Sequence, residues 1–369
     1  VLIVGAGLSG LSLARSLASR GVPFKLFDAW PESRRPGYSL TLHPASLSPL
    51  LETLRAEPAT FRASVAVAGT GNLGGIVDAL TGEPVGSATG GVPGSFRANR
   101  FRLREWLREG VEVRFDHKLV GLEAAGRFTS GGVIAKFENG ESVEGCLLVG
   151  ADGVHSTVRN IVFPTVRPSI LSTVVYNGQR RIPRPGFDSN LGPHFYSHTY
   201  IIGLCGRGGA SVLSVGINDI SAERVDLSWT YSRPAQEGDD ALHRPTRGIG
   251  EAREIPNALW EELSALGPLR PPFDAVADPE LARGDRINHW LMRSVRISRE
   301  ELAERAAGNA PVVLVGDAAH AMPIFRGEGG NHALLDGVEL ADAIAQHGAG
   351  SDALRVFYER ATPRWEVSI

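Results

Sequence analysis

At 369 residues the chain exceeds the usual single-domain size, so two lobes are expected. An apolar fraction of 43% supports substantial cores, and a formal net charge of −3 argues against nucleic acid as the main partner. No apolar run reaches membrane-spanning length. Cys146 and Cys205 sit in apolar runs and fit no metal or CxxC spacing, which points to reduced thiols in a cytoplasmic compartment.

Residues 1–28 carry the pattern of a βαβ unit. Val1–Val4 is strand-like from the first residue, unlike a signal peptide. GAGLSG follows, with Gly5, Gly7 and Gly10, and then a helix bearing Leu11, Ala14, Leu17 and Ala18 that Gly21 stops. Phe24–Phe27 is a second strand ending at Asp28. In such a unit Gly5 permits the turn and Gly7 leaves room for a pyrophosphate. Gly10 lets helix and strand pack, and Asp28 accepts from ribose hydroxyls. The pattern predicts a bound dinucleotide, and NAD and FAD both satisfy it.

The polar loop around Arg34 and Arg35 leads into the alternating strand Tyr38–His43. Pro44 opens a helix with Leu47, Leu50, Leu51 and Leu54 as its stripe. Short strands and turns are expected from Phe61 to Pro93. Arg97, Arg100, Arg102, Arg104 and Arg108 punctuate a helix whose basic side reads as solvated, with Leu103 and Leu107 facing the core. VEVRF and KLVGLE read as strands. VIAKF and SVEGCLLVG pair around Asn139-Gly140, a hairpin signal. The last strand runs into GADGVHSTVR, where Asp152 stands at a strand's carboxyl end and Ser156 at a helix start.

Residues 164–285 change character, with frequent proline and alternating runs that predict an antiparallel sheet with one wet face. The charged stretch Pro234–Glu254 has no periodicity and reads as a mobile loop or lid. IPNALWEELSAL is an amphipathic helix. Near the end, Val312–Val315 is a buried strand followed by Gly316-Asp317. A glycine-rich loop, Arg326–Gly330, leads to a helix that Asn331 is expected to cap and that His347 and Gly348 end. A helix amino terminus beside glycines is a seat for something flat and electron-rich or anionic.

GAGLSG, GADGVHSTVR and GDAAHAMPIFRGEGGNHALLDG, in this order, resemble the class A flavin-dependent aromatic hydroxylases, the p-hydroxybenzoate hydroxylase-like monooxygenases. The resemblance covers almost the whole chain. The wording PIFRGEGGNHALLD and the LTLH strand are similar to microbial secondary-metabolism and tetracycline-inactivating enzymes. It implies an α/β fold with a Rossmann-like FAD-binding domain and a second, antiparallel-sheet substrate domain. The FAD-binding domain would comprise 1–163 and 286–369, with 61–95 open to either lobe, and the substrate domain 164–285.

The resemblance also implies FAD, held non-covalently, and NADPH or NADH as a transient reductant. Gly5, Gly7 and Gly10 would bound the pyrophosphate turn, Asp28 the adenosine ribose, and Arg100, in its R-x-x-L-R-x-x-L helix, the flavin. Asp152 would serve flavin and nicotinamide binding, Asp317 the ribityl chain. Gly327, Glu328, Gly329 and Gly330, with Asn331, would line the pyrimidine edge, and Thr41 and Arg34 would contact flavin and nicotinamide. Two departures stand out. Glu328 replaces the family's usual Gln in Gly-Gln-Gly. The tyrosine pair that activates phenol in p-hydroxybenzoate hydroxylase has no match in the substrate lobe.

The expected function is NAD(P)H-consuming insertion of one oxygen atom from O2 into an aromatic or polyketide-like small molecule, hydroxylation leading. No side chain is an obvious base; Tyr176, His194 and Tyr196, on expected strands of the second lobe, are pocket candidates. Rival readings are a flavin reductase or dehydrogenase, a halogenase (disfavoured by the lack of a WxWxIP run), and a redox-sensing interaction protein. Either a monomer or a dimer fits, with no metal and no membrane span.

Overall fold

The computed structural model describes residues 1–33, 37–67, 73–85, 92–125, 131–195, 198–206, 210–307 and 311–367. The chain opens with strand β1 (Leu2–Val4), helix α1 (Leu8–Ala18), β2 (Lys25–Phe27) and β3 (Ser39–Leu42). Next come α2 (Pro44–Leu54), α3 (Pro58–Val65), β4 (Ile76–Asp78), β5 (Phe96–Asn99) and α4 (Arg100–Arg108). Five strands follow: β6 (Val113–Arg114), β7 (Leu119–Ala125), β8 (Gly132–Phe137), β9 (Ser142–Gly145) and β10 (Leu148–Gly150). After α5 (Thr157–Val162) come β11 (Ser169–Ile170), β12 (Thr173–Pro183), α6 (Arg184–Asn190), β13 (Tyr200–Cys205), β14 (Ser211–Ile220) and β15 (Arg224–Pro234). The helices α7 (Asn257–Ala265), α8 (Phe273–Ala277) and α9 (Pro279–Ala282) precede β16 (Arg286–His289) and β17 (Arg293–Ser294). The chain closes with α10 (Arg299–Ala307), β18 (Val312–Leu314), α11 (Asp317–His320), α12 (Gly329–His347) and α13 (Ser351–Glu366).

Two sheets organise these elements. The first has the order β18-β10-β1-β2-β6 and all its pairings are parallel. The strands β1, β10 and β18 are buried throughout, which is why each reads as an unbroken apolar run. Their carboxyl ends release Gly5, Ala151-Asp152 and Val315–Asp317 side by side. The second sheet has the order β16-β12-β15-β14-β13-β4; its pairings are antiparallel except β13 with β4. One of its faces, with Tyr176, Leu213, Val215, Trp229 and Tyr231, packs into a core with α7 and α8. Register puts Asn177, Thr230 and Ser214 in one row across the opposite face, and that row is polar.

Several local expectations are corrected. Phe61–Val65 is helical, because Pro58 opens α3 and the Glu57 carboxylate accepts from Ala59 N and Thr60 N. SVEGCLLVG is two strands: β9 joins a three-stranded sheet with β7 and β8, and β10 joins the parallel sheet. A Cβ at Gly145 would lie 2.6 Å from the Leu2 side chain, so the chain crosses there at close quarters. The stretch 234–254 is not a free lid. Arg233 holds Asp240 at 2.7 Å and Glu262 at 2.5 Å, while Arg247 Nη2 donates to His289 O at 2.6 Å. The residues around 240 and 247 are therefore pinned to the second sheet.

Candidate functional site: a flavin seat between two sheets

The first turn is built from backbone. Gly5 has φ +109°, and a Cβ there would lie 2.3 Å from Ala151 O. A Cβ on Gly10 would lie 1.9 Å from Gly5 O, so helix and strand can meet only at glycine. A Cβ on Gly7 would meet nothing within 4 Å. That side of the turn is open among the described residues. Asp28 closes the turn, accepting from Ala6 N at 2.7 Å and from Trp30 N at 2.8 Å. An ionised carboxylate has about four acceptor sites, so two remain for ribose hydroxyls.

Gly5, Gly7 and Asp28 line a groove of about 1580 Å³ that also takes in Arg100, Arg104, Asp152, His155, Gln179 and Trp290. Arg100 opens α4 and lies over the Tyr38 ring at 5.0 Å. Asp152 accepts from Thr157 N and Val158 N at 2.7 and 3.1 Å and thereby caps α5. Burial raises its pKa, with the Ser156 hydroxyl and these N–H groups opposing. It is a structural cap and a lining residue at once. The arginine run is not the solvated face the sequence suggested: Arg104 is buried, with the Asp28 carboxylate acting on it as a counter-charge, and Arg102 pairs with Asp219. The Arg100/Arg104 spacing of four beside Leu103 and Leu107 was the available signal for a groove-facing side.

Asp317 and the turn 327–331 do not line this groove; Gly316, packed on Ser9 of α1, links them to it. Gly316 has φ +59°, and its N–H donates to the Asp336 carboxylate at 2.8 Å. Asp336 is fully buried and also accepts from His320 Nε2 at 2.6 Å, Trp365 Nε1 at 3.0 Å and Arg364. Burial works against its ionisation, but His320, Arg364 and the Gly316 N–H outweigh it and hold the carboxyl well below its ordinary range. Sequence reasoning missed Asp336. Its place five residues after Asn331, on the inward face of α12, was the only hint. Asp317 itself is solvent-reachable and accepts no hydrogen bond among the described residues, so its acceptors are left for a ligand. Enough protein surrounds it that burial raises its pKa, with His320 and Arg100 opposing.

Asn331 is not the helix cap. α12 begins at Gly329, and Asn331 is buried in its first turn. Its amide donates to Thr41 O at 2.9 Å and Gly327 O at 3.1 Å, and its oxygen accepts from His43 N at 2.9 Å. A short side chain aimed back at β3 serves as a clamp, since the free N–H groups of the turn belong to Gly329 and Gly330. Glu328 faces His43 at 3.7 Å. Thus Thr41, Gly327, Glu328, Gly329, Gly330 and Asn331 form one assembly next to Asp317.

The pocket candidates fare differently. Tyr176 is fully buried on the core face of β12, stacked on His289 at 4.9 Å, and its hydroxyl donates to Leu242 O at 3.3 Å. It packs the second lobe's own core. His194 is exposed in a single 3-10 turn after α6, not on a strand, because Pro193 and the turn at Gly192 interrupt the run. Arg34 and Tyr196 lie outside the described residues.

The arrangement fits FAD: an open glycine turn, an acid for ribose, an unspent carboxylate at the third strand end, and a helix amino terminus. An FAD binding domain model matches residues 1–167 and 281–364, and the chain belongs to that family. Over 358 residues it is 39% identical to the FAD-dependent monooxygenase nscC of Arthroderma otae, covering 94% of this chain and 84% of that protein. The FAD-dependent monooxygenase aptC of Emericella nidulans is 38% identical over 362 residues, 93% and 85% of the two chains. The solved structure of 2,6-dihydroxypyridine-3-hydroxylase from Arthrobacter nicotinovorans superposes with a TM-score of 0.73 at 23% identity, covering 100% of this chain and 89% of that one. The chain is an FAD-dependent monooxygenase of the p-hydroxybenzoate hydroxylase type. No helix among the described residues is long and apolar enough to cross a membrane.

Proposed function

We propose that the enzyme hydroxylates a flat, oxygen-rich aromatic or polyketide-derived molecule, with NAD(P)H as electron donor and one atom of dioxygen entering the product. The observation that supports this substrate class is the polar face of the second sheet. Asn177, Ser214 and Ser232 are buried there beside Thr230, and Asn177 Oδ1 has no partner among the described residues. A purely apolar ligand would leave such groups unsatisfied at a cost of about 1–3 kcal/mol each, whereas hydroxyl and carbonyl groups on a ring system satisfy them. The relatives named above are monooxygenases, which agrees with oxygen insertion as the outcome.

FAD, when bound, supplies the electron transfer from NAD(P)H and the activation of dioxygen. The chain's part is position. Gly5, Gly7 and Asp28 would hold the adenosine end, Asp317 the linking chain, and the N–H groups of Gly329 and Gly330 the negative edge of the reduced ring. The reductant visits transiently, since the sequence carries a single glycine-turn unit. The test is NAD(P)H oxidation with isotopically labelled dioxygen. Slow oxidation alone, faster oxidation with substrate, and one labelled atom in product are expected. Substrate turned over without label would leave a dehydrogenase.

A further inference from the structure

Arg97 is a cation for which no carboxylate stands within ion-pair distance among the described residues. It lies on β5 opposite Thr41 of β3. Its Nη2 donates to Ser39 O at 2.9 Å, its Nη1 reaches Thr41 Oγ1 only at 3.4 Å, and its Nε is buried without a partner among the described residues. A guanidinium carries five N–H donors, so most are unspent. Three other interior arginines are answered by carboxylates, Arg180 by Asp285, Arg233 by Asp240 and Glu262, and Arg364 by Asp336 and Glu339, while Arg159 spends its Nη1 and Nη2 on the carbonyls of Ala318 and Val154. Among the described residues none answers Arg97. Burial also lowers its pKa, the sense expected of a cation short of a partner.

Its place gives that shortage a use. The guanidinium stacks on the Tyr200 ring at 4.6 Å. Tyr200 pairs with Gly216, where a Cβ would stand 2.7 Å from the Tyr200 ring and displace it. By register Tyr200 and Gly216 lie on the same face of the second sheet as Ser214 and Thr230. On the other side, Thr41 O is held by Asn331 at the start of α12. Arg97 therefore stands where the polar sheet face meets the flavin seat.

We propose that Arg97, with Thr41 and Tyr200, forms a subsite for an acidic oxygen of the substrate: a carboxylate, or an ionised phenol or enol. This rests on the polar sheet face being the substrate side. A desolvated cation costs free energy until an anion joins it, and a planar fork matches a carboxylate with two hydrogen bonds. An uncharged analogue of the same shape would leave the cation unanswered. The subsite therefore selects acids and sets which end of the substrate lies next to β3.

The test uses the FAD-loaded enzyme with its Arg97→Met and Arg97→Lys variants, each checked for FAD content and melting temperature. Flavin absorbance follows titration with benzoate against benzamide, and with anthraquinone-2-carboxylate against its amide. Wild type should bind each anion about ten- to hundredfold tighter than its amide, the range for a charge-assisted hydrogen bond. Arg97→Met should lose that preference with amide affinity unchanged, and Arg97→Lys should keep part of it. If the Met variant does not fold, a reduced preference in the Lys variant carries the test. Wild type without the preference, including no binding of either probe, overturns the proposal. So does a variant that keeps the full preference, above all one whose flavin midpoint potential has shifted, which would assign the guanidinium to the cofactor. Because the readout is binding, failure here leaves the labelled-oxygen result standing, and the reverse.

Discussion

The open turn of the first lobe is made of backbone that glycines hold open and carboxylates hold in place, whereas the polar face of the second sheet is made of side chains on three strands, β12, β14 and β15. At Gly5, Gly10 and Gly316 a side chain is excluded by atoms 1.9–2.6 Å away, so the flavin seat has almost no freedom of composition. The row Asn177, Thr230, Ser214 has no such exclusion; what it presents depends only on which residues alternate outward. A seat made of backbone suits one cofactor. A face made of exchangeable side chains can be fitted to different substrates on the same scaffold.

The strongest way to break this contrast is at Asp336. Asp336→Ala leaves Gly316 N, His320 Nε2, Trp365 Nε1 and Arg364 without their shared acceptor. Loss of one partner in a buried charged network costs about 3–5 kcal/mol. Urea denaturation should show that loss, and a change below about 1 kcal/mol would mean the carboxylate does not organise the third strand end.

Asp317→Ala tests the seat itself. Its carboxylate serves no donor among the described residues, so the variant should melt like wild type yet bind FAD about tenfold to a hundredfold more weakly, a loss of about 1.5–3 kcal/mol. Unchanged FAD occupancy in the folded variant would remove Asp317 from the site.

Two glycines then separate fold from ligand. Gly10→Ala drives a methyl into Gly5 O and should cost about 1–3 kcal/mol of stability. Gly7→Ala meets open space and should leave the melting temperature of the FAD-free protein alone while weakening FAD binding. Equal loss of stability in both would show that Gly7 also serves packing.

The smallest effect at neutral pH is titration. His289 in the second lobe and His332 in the first are each pushed down to about 4, chiefly by burial and then by Arg247 and Arg364 respectively. Arg247 Nε donates to His289 Nδ1 at 2.9 Å, which requires a neutral ring. Both folded values lie below the unfolded 6.5, so the unfolded chain binds more protons between them. Stability should fall as pH drops from about 6.5 to about 4 and then level off with respect to these groups. His289→Gln should flatten that part of the melting-temperature profile; an unchanged profile would show that His289 is not a contributor.

Most of the first lobe was legible because its tasks are local. A glycine turn between a buried strand and a helix, or an acid just past a strand, leaves the same trace wherever it occurs, and β1 and β18 read correctly as apolar runs, whereas β10 was read as one strand with β9. Asn139-Gly140 marked the β8–β9 hairpin for the same reason, with Gly140 at φ +87°. Tyr176 and the arginines of α4 were misread because their roles depend on what lies across a gap. Nothing near Tyr176 in sequence says that Trp229 occupies the space over Gly178, which puts Tyr176 on the core face.

By itself the sequence determined the dinucleotide turn, the three strand ends and the stop of α12 at Gly348, since backbone geometry and helix stops follow from glycine, proline and apolar spacing, and the resemblance of its three motifs gave the class of chemistry. Only the tertiary structure decided that Asn331 clamps β3 instead of capping its helix, that 234–254 is pinned by Arg233 and Arg247, and that Arg97 has no carboxylate partner among the described residues. Each of these turns on partners far apart in the chain, and the charge balance of a buried group is set by its neighbours in space.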